Sequence, residues 1–154
     1  MDENEIKERI KKELKDCQKS KRLLTNFCSV GLVSKFNPKE WKVVFKGPRH
    51  TVYDGGIFHL NIKFEDNYPS CPPTIVMVNK TFHPNINFSE NANICVTSLS
   101  SWMPERTMTD VIISIINLLS DPNPGSPLNR NAAELFENDK AKYKEEVKKY
   151  LIYK

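Results

Sequence analysis

The stretch GIFHLNIKF, residues 56–64, sets Phe58, Leu60, Ile62 and Phe64 in alternation with His59, Asn61 and Lys63. A period of two marks a strand with one face in a core and the other in water. Similar short runs lie on either side: CSVGLVSKF (28–36), EWKVVFKGP (40–48) and TIVMV (74–78). They are separated by Asn37-Pro38, Gly47-Pro48, Asp54-Gly55-Gly56 and the proline-rich cluster from Tyr68 to Pro73, all turn-forming combinations. Four short strands in succession predict a four-stranded antiparallel meander.

Helical patterns flank the meander. Ile6, Ile10, Leu14 and Cys17 line one face of a helix over 4–18, leaving Arg9, Lys11, Lys12 and Lys15 largely on its other faces. Residues 7–22 carry eight Lys/Arg against three Asp/Glu, so this one segment holds a larger excess than the whole-chain charge of +4. Downstream, TMTDVIISIINLLSD (107–121) is rich in β-branched residues, as a strand would be. Its length and the capping-box spacing of Thr107 and Asp110 favour a helix buried against the sheet. Prolines 122, 124 and 127 then make DPNPGSP a rigid connector. Helices near 129–136 and 139–152 follow, the last with Tyr143, Val147, Tyr150 and Leu151 on one face.

Composition sets outer bounds. A chain of 154 residues with 39% hydrophobic and 27% charged residues reads as a single folded domain over 1–154, without repeats or a linker. No apolar run spans a bilayer, and MDENEIKERIKKELKD is charged where a secretory signal is apolar, so the cytoplasm or nucleus is expected, with no membrane partner. Cys17, Cys28, Cys71 and Cys95 form no CxxC pair; reduced thiols are expected, with neither a metal site nor a small-molecule cofactor. Glu8, Glu13 and Asp16 interrupt the basic helix and no aromatic platform accompanies it, which argues against nucleic acid.

From Thr81 to about Arg106 no period holds, and long irregular segments of this kind are commonly functional. Within it, TFHPNINFSENANICV (81–96) brings a histidine and an asparagine shortly before a cysteine. A cysteine-protease reading needs an imidazole at the thiol and a third group orienting that imidazole. Pro84 fixes the backbone between His83 and Asn85, so the asparagine does not easily swing back onto the ring, and the triad is strained. His50 and His59 are alternative bases, although the strand alternation already accounts for His59. Cys95 is then either a buried small hydrophobe or an accessible thiol; its polar, asparagine-rich surroundings pull toward the second.

Taken together, HPNI (83–86), ICV (94–96), Trp102-Met103-Pro104 and DPNPGSPLNRNAA (121–133) resemble the ubiquitin-conjugating enzyme family, as do Gly47-Pro48, YDGG (53–56), NYP (67–69) and Pro72-Pro73. The resemblance runs from the first helix to the last. It implies an α/β (α+β) fold with an N-terminal helix, a four-stranded meander, an active-site loop and C-terminal helices. It implies that Cys95 accepts ubiquitin from the activating enzyme as a thioester and passes it to a substrate lysine or a ligase cysteine, ATP being used only by the activating enzyme. Asn85 would stabilise the tetrahedral oxyanion or hold the loop that does, and Ser126 would position the attacking lysine. His83, Pro84 and Trp102 would be scaffold, His83 bonding backbone groups. Arg9 and Lys12 would meet the activating enzyme, and Pro69, Ser70, Pro104 and Glu105 a ligase.

This chain also departs from the family pattern. His83 to Cys95 is two residues longer than in most of the family, and Cys95 to Trp102 one shorter. Ser70 replaces a frequent aromatic residue, Met103-Pro104-Glu105 a frequent Ser-Pro-Ala, and Thr97 a frequent acid. A ubiquitin-like modifier in place of ubiquitin, or a non-catalytic adaptor of the same fold, are the alternatives.

Overall fold

The computed structural model describes residues 1–95 and 101–153. Helix α1 spans Glu3–Lys19, opened by Asp2, whose carboxylate accepts the Glu5 amide at 2.8 Å. Ser20 closes α1 and caps a short second helix, α2 (Lys21–Thr25), by accepting the Leu23 amide.

Strands β1 (Ser29–Ser34), β2 (Asn37–Lys46), β3 (Ile57–Lys63) and β4 (Thr74–Met77) form the expected antiparallel meander. A fifth strand, β5 (Ala92–Ile94), is added beside β4, so the sheet runs β1-β2-β3-β4-β5. Inward pairs meet across it: Phe45 opposite Phe58, Val43 opposite Leu60, Trp41 opposite Ile62, then Ile62 opposite Ile75 and Ile75 opposite Ile94. All but Ile94 are essentially inaccessible to solvent, each side chain contributing ~1.5–3 kcal/mol of burial. Asn37-Pro38, which reads as a break, instead opens β2, with Asn37 paired to Ser34. A proline at the beginning of a strand forfeits little of the ladder, and the turn falls on Lys35 and Phe36.

Two glycines show why the sheet's turn has the residues it has. A Cβ on Gly47 would lie 1.8 Å from the Tyr53 carbonyl oxygen, and Gly55 has φ +90. The approach at Gly47 leaves no room for a Cβ, and the backbone at Gly55 is one that L side chains rarely adopt; Gly47 also closes the loop by donating to the Gly56 carbonyl at 2.8 Å.

Helix α3 (Met108–Ser120) is the buried helix expected of TMTDVIISIINLLSD: Val111, Ile112, Ile115, Ile116 and Leu119 are all in the core. Helices α4 (Arg130–Asn138) and α5 (Lys140–Tyr150) close the domain. Leu151 falls just beyond α5, because the chain turns back there and Ile152 accepts the Ile57 amide at 2.7 Å. No helix among the described residues is long and apolar enough to cross a membrane.

Candidate active site

The loop after β4 is organised by a histidine that faces inward. His83 is fully buried; its Nε2–H donates to the Leu118 carbonyl at 2.7 Å, while Nδ1 accepts the Asn85 amide at 2.9 Å. Burial pushes the imidazole down to about 4, only partly offset by the Leu118 carbonyl. A neutral ring with both nitrogens committed to the backbone has no lone pair left for a thiol, so the protease arrangement is not formed.

Two hydrogen-bonded clamps tie this loop to the proline connector. The Pro84 carbonyl accepts the amides of Leu128 and Asn129 at 2.8 and 3.0 Å. The Asn85 side chain spans the same gap: Nδ2 donates to the carbonyls of Asn123 (2.7 Å) and Ser126 (3.3 Å), and Oδ1 accepts the Asn123 amide (2.7 Å). The connector is braced within itself as Asn123 accepts the Gly125 amide, and Asn129 caps α4.

Strand β5 delivers the cysteine. Ile94 points into the core and Cys95, the next residue, is exposed. Cys95 opens on a groove of about 370 Å³ walled by Asn85, Ile94, Leu118, Asn123, Ser126 and Leu128. Cys95, Asn85 and Ser126 thus come together. Of the other walls, Leu118 comes from α3 and Leu128 from the connector's far end, where the sequence offers only core periodicity and a proline run. Of the remaining thiols, Cys17 and Cys28 are buried and pushed up to about 11 and about 12 by that burial, whereas Cys71 is exposed.

The expected partner residues collect elsewhere. Arg9, Pro69, Ser70 and Pro104 line a second groove of about 410 Å³, with Ile6, Tyr68 and Asn67. Arg9 donates to the carbonyls of Pro104 and Arg106 and lies 5.4 Å from the Tyr68 ring, so it joins α1 to the segment before α3. Lys12 stands in water, its side chain 79% exposed, beside Asp16. Glu105 is exposed and does not line the groove, and Trp102 donates from Nε1 to the Pro69 carbonyl at 2.9 Å, bracing this groove rather than the thiol's. Thr97 lies outside the described residues. Among the described residues no group of three or more His, Cys, Asp and Glu could hold a metal ion.

Two comparisons bear on this arrangement. A family model described as ubiquitin-conjugating enzyme matches residues 9–151. The crystal structure of a candidate ubiquitin-conjugating enzyme from Plasmodium yoelii superposes with a TM-score of 0.84 at 32% identity, covering 98% of this chain and 96% of that one.

Proposed function

This chain belongs to the ubiquitin-conjugating enzyme family, and on that footing we propose that Cys95 carries ubiquitin as a thioester between an activating enzyme and an acceptor. The Cys95 thiolate attacks the activating enzyme's thioester carbonyl, the tetrahedral intermediate collapses, and the activating enzyme's thiolate leaves. One thioester replaces another of similar energy, so the step needs an exposed thiol and a shaped groove more than a dedicated base. The observation that carries this reading is the convergence of Cys95, Asn85 and Ser126 on one groove from three separate segments. Asn85 serves by fixing the connector that carries Ser126, its amide hydrogens being already directed at two connector carbonyls. The groove that Pro69, Ser70 and Pro104 line, with Glu105 next along the chain, is the docking place for a ligase, while Arg9, on a wall of that groove, and Lys12 present charge to the activating enzyme. ATP enters only at the activating enzyme.

A charging assay tests the proposal: the protein, activating enzyme, ATP and ubiquitin, resolved without reductant. The expected product is a thiol-sensitive adduct absent from Cys95→Ala. Should none form with ubiquitin or with any ubiquitin-like modifier and its own activating enzyme, the thioester reading fails.

A further inference from the structure

A further groove lies where the β2–β3 loop, the end of α3, α4 and the first turns of α5 meet. We infer that it docks an acidic segment of a partner protein, anchored by one apolar side chain. The groove holds about 430 Å³ and shares no lining residue with that of Cys95, so it can be filled while the thiol stays open. Val52, Leu119 and Phe136 supply apolar walls, and Lys140 and Lys144, four residues apart on α5, face His50 across it. A concave apolar surface with a few converging polar groups is the usual form of a binding site. Deeper in, the buried hydroxyls of Tyr53 and Tyr143 lie 2.6 Å apart and Tyr53 donates to the Phe82 carbonyl at 2.7 Å, so the floor needs no outside partner.

The edge does need one. No aspartate or glutamate lines the groove, and among the described residues neither Lys140 nor Lys144 forms an ion pair. Lys140 instead rests its ammonium 3.3 Å from the centre of the Phe136 ring. The carboxylates next along the chain, Asp54, Asp121, Glu137, Asp139 and Glu145, stay off the walls, and Asp139 is committed to the Lys142 amide as the cap of α5. Helix α5 thus opens with lysines at a terminus whose dipole favours acids. On the opposite wall His50 holds φ 64, a backbone uncommon for a residue with a side chain and one that recurs at ligand clamps. Carboxylates of an acidic segment complete the two lysines, and its apolar side chain completes the walls. A second copy of this chain fits poorly, since its own charge is +4. Nucleic acid fits poorly because Lys140 already covers the half-buried Phe136 ring on which a base would stack. A membrane surface needs protruding apolar side chains, and the large exposed ones, such as Leu24, Phe27 and Phe36, lie outside the groove.

The test titrates the full chain into a fluorescein-labelled peptide, Glu-Asp-Glu-Leu-Glu-Asp-Glu, at low salt, reading anisotropy, with amide chemical shifts locating the site. Saturable binding at roughly 10–500 μM is expected, with shifts at Val52, Leu119 and Ala141. Serine in place of the peptide's leucine weakens binding about tenfold or more by withdrawing the anchor. Ala141→Phe, which fills the groove from an exposed position on α5, does the same, as does the double variant Lys140→Glu, Lys144→Glu, each losing about tenfold or more. Urea unfolding confirms that both variants are folded. The inference is overturned by any of four results: no saturation by about 1 mM, equal binding of the serine peptide, affinity unmoved by either variant, or shifts gathered on α1 instead. Tighter binding at this groove by oligouridylate or by phosphatidylserine vesicles than by the peptide would overturn it as well, assigning the groove to nucleic acid or to a membrane.

Discussion

His83 is the residue at which sequence and structure are most instructive to compare. Pro84 between His83 and Asn85 makes it legible that the asparagine side chain does not serve the ring. That the Asn85 backbone amide does serve it, and that Leu118 takes the other nitrogen, depends on α3 arriving from 35 residues away and has no local signature. The buried neutral ring has a consequence for stability. In the unfolded chain this histidine takes its proton near 6.5, in the folded chain only near about 4, so between those values the unfolded state holds more protons. The stabilisation from this group is therefore complete above pH 6.5 and is lost as pH falls toward 4, at ~1.4 kcal/mol for each pH unit crossed. His83→Gln removes the titrating group. In urea unfolding the variant should be less stable than wild type by ~1–3 kcal/mol at pH 7, with the gap narrowing by pH 4.5. A gap of constant size across that range would show that His83 is not held neutral.

Among elements, α3 shows how much of a helix is written locally. Its N-cap was legible: Thr107 accepts the Asp110 amide at 3.2 Å, as the spacing demands. Its other terminal partner was not, because the Met108 amide donates to Glu13 of α1 at 2.7 Å, a contact 95 residues apart. Glu13 reads in sequence as one more charge on a solvated face, yet it is buried, and burial raises its carboxyl above the ordinary range. The acceptor, not the charge, is what α3 needs. Glu13→Ala should thus cost ~1–3 kcal/mol by stranding the Met108 amide, whereas Glu13→Gln keeps an acceptor, sheds the buried charge and should match or exceed wild-type stability at pH 7. Equal losses in both, measured by urea unfolding, would instead assign the contact's value to the charge at the helix terminus. The elements that sequence periodicity missed, α2 with five residues and β5 with three, are too short to express a period at all; β5 is fixed by β4, not by its own composition.

Across the whole molecule, the site is a seam between two loops that the meander and α3 hold at a fixed distance. The prolines of DPNPGSP announce a stiff connector, but stiffness does not say what the connector leans on. The answer is the Pro84 carbonyl and the Asn85 side chain, which together make five of the hydrogen bonds across the seam. Asn85 could act on the reaction by donating to the oxyanion or by holding this seam closed, and the two roles separate experimentally. Both hydrogens of its amide are directed at connector carbonyls, at 2.7 and 3.3 Å, so an oxyanion would have to displace one of them. Asn85→Ala should accordingly loosen the connector even in the uncharged protein. Losing ~1–2 kcal/mol of bonding across the seam corresponds to amide exchange about 5–30-fold faster at Asn123, Leu128 and Asn129, alongside slower discharge of Cys95. If discharge slows while exchange at those three amides stays at the wild-type rate, Asn85 acts on the oxyanion and the connector stands without it.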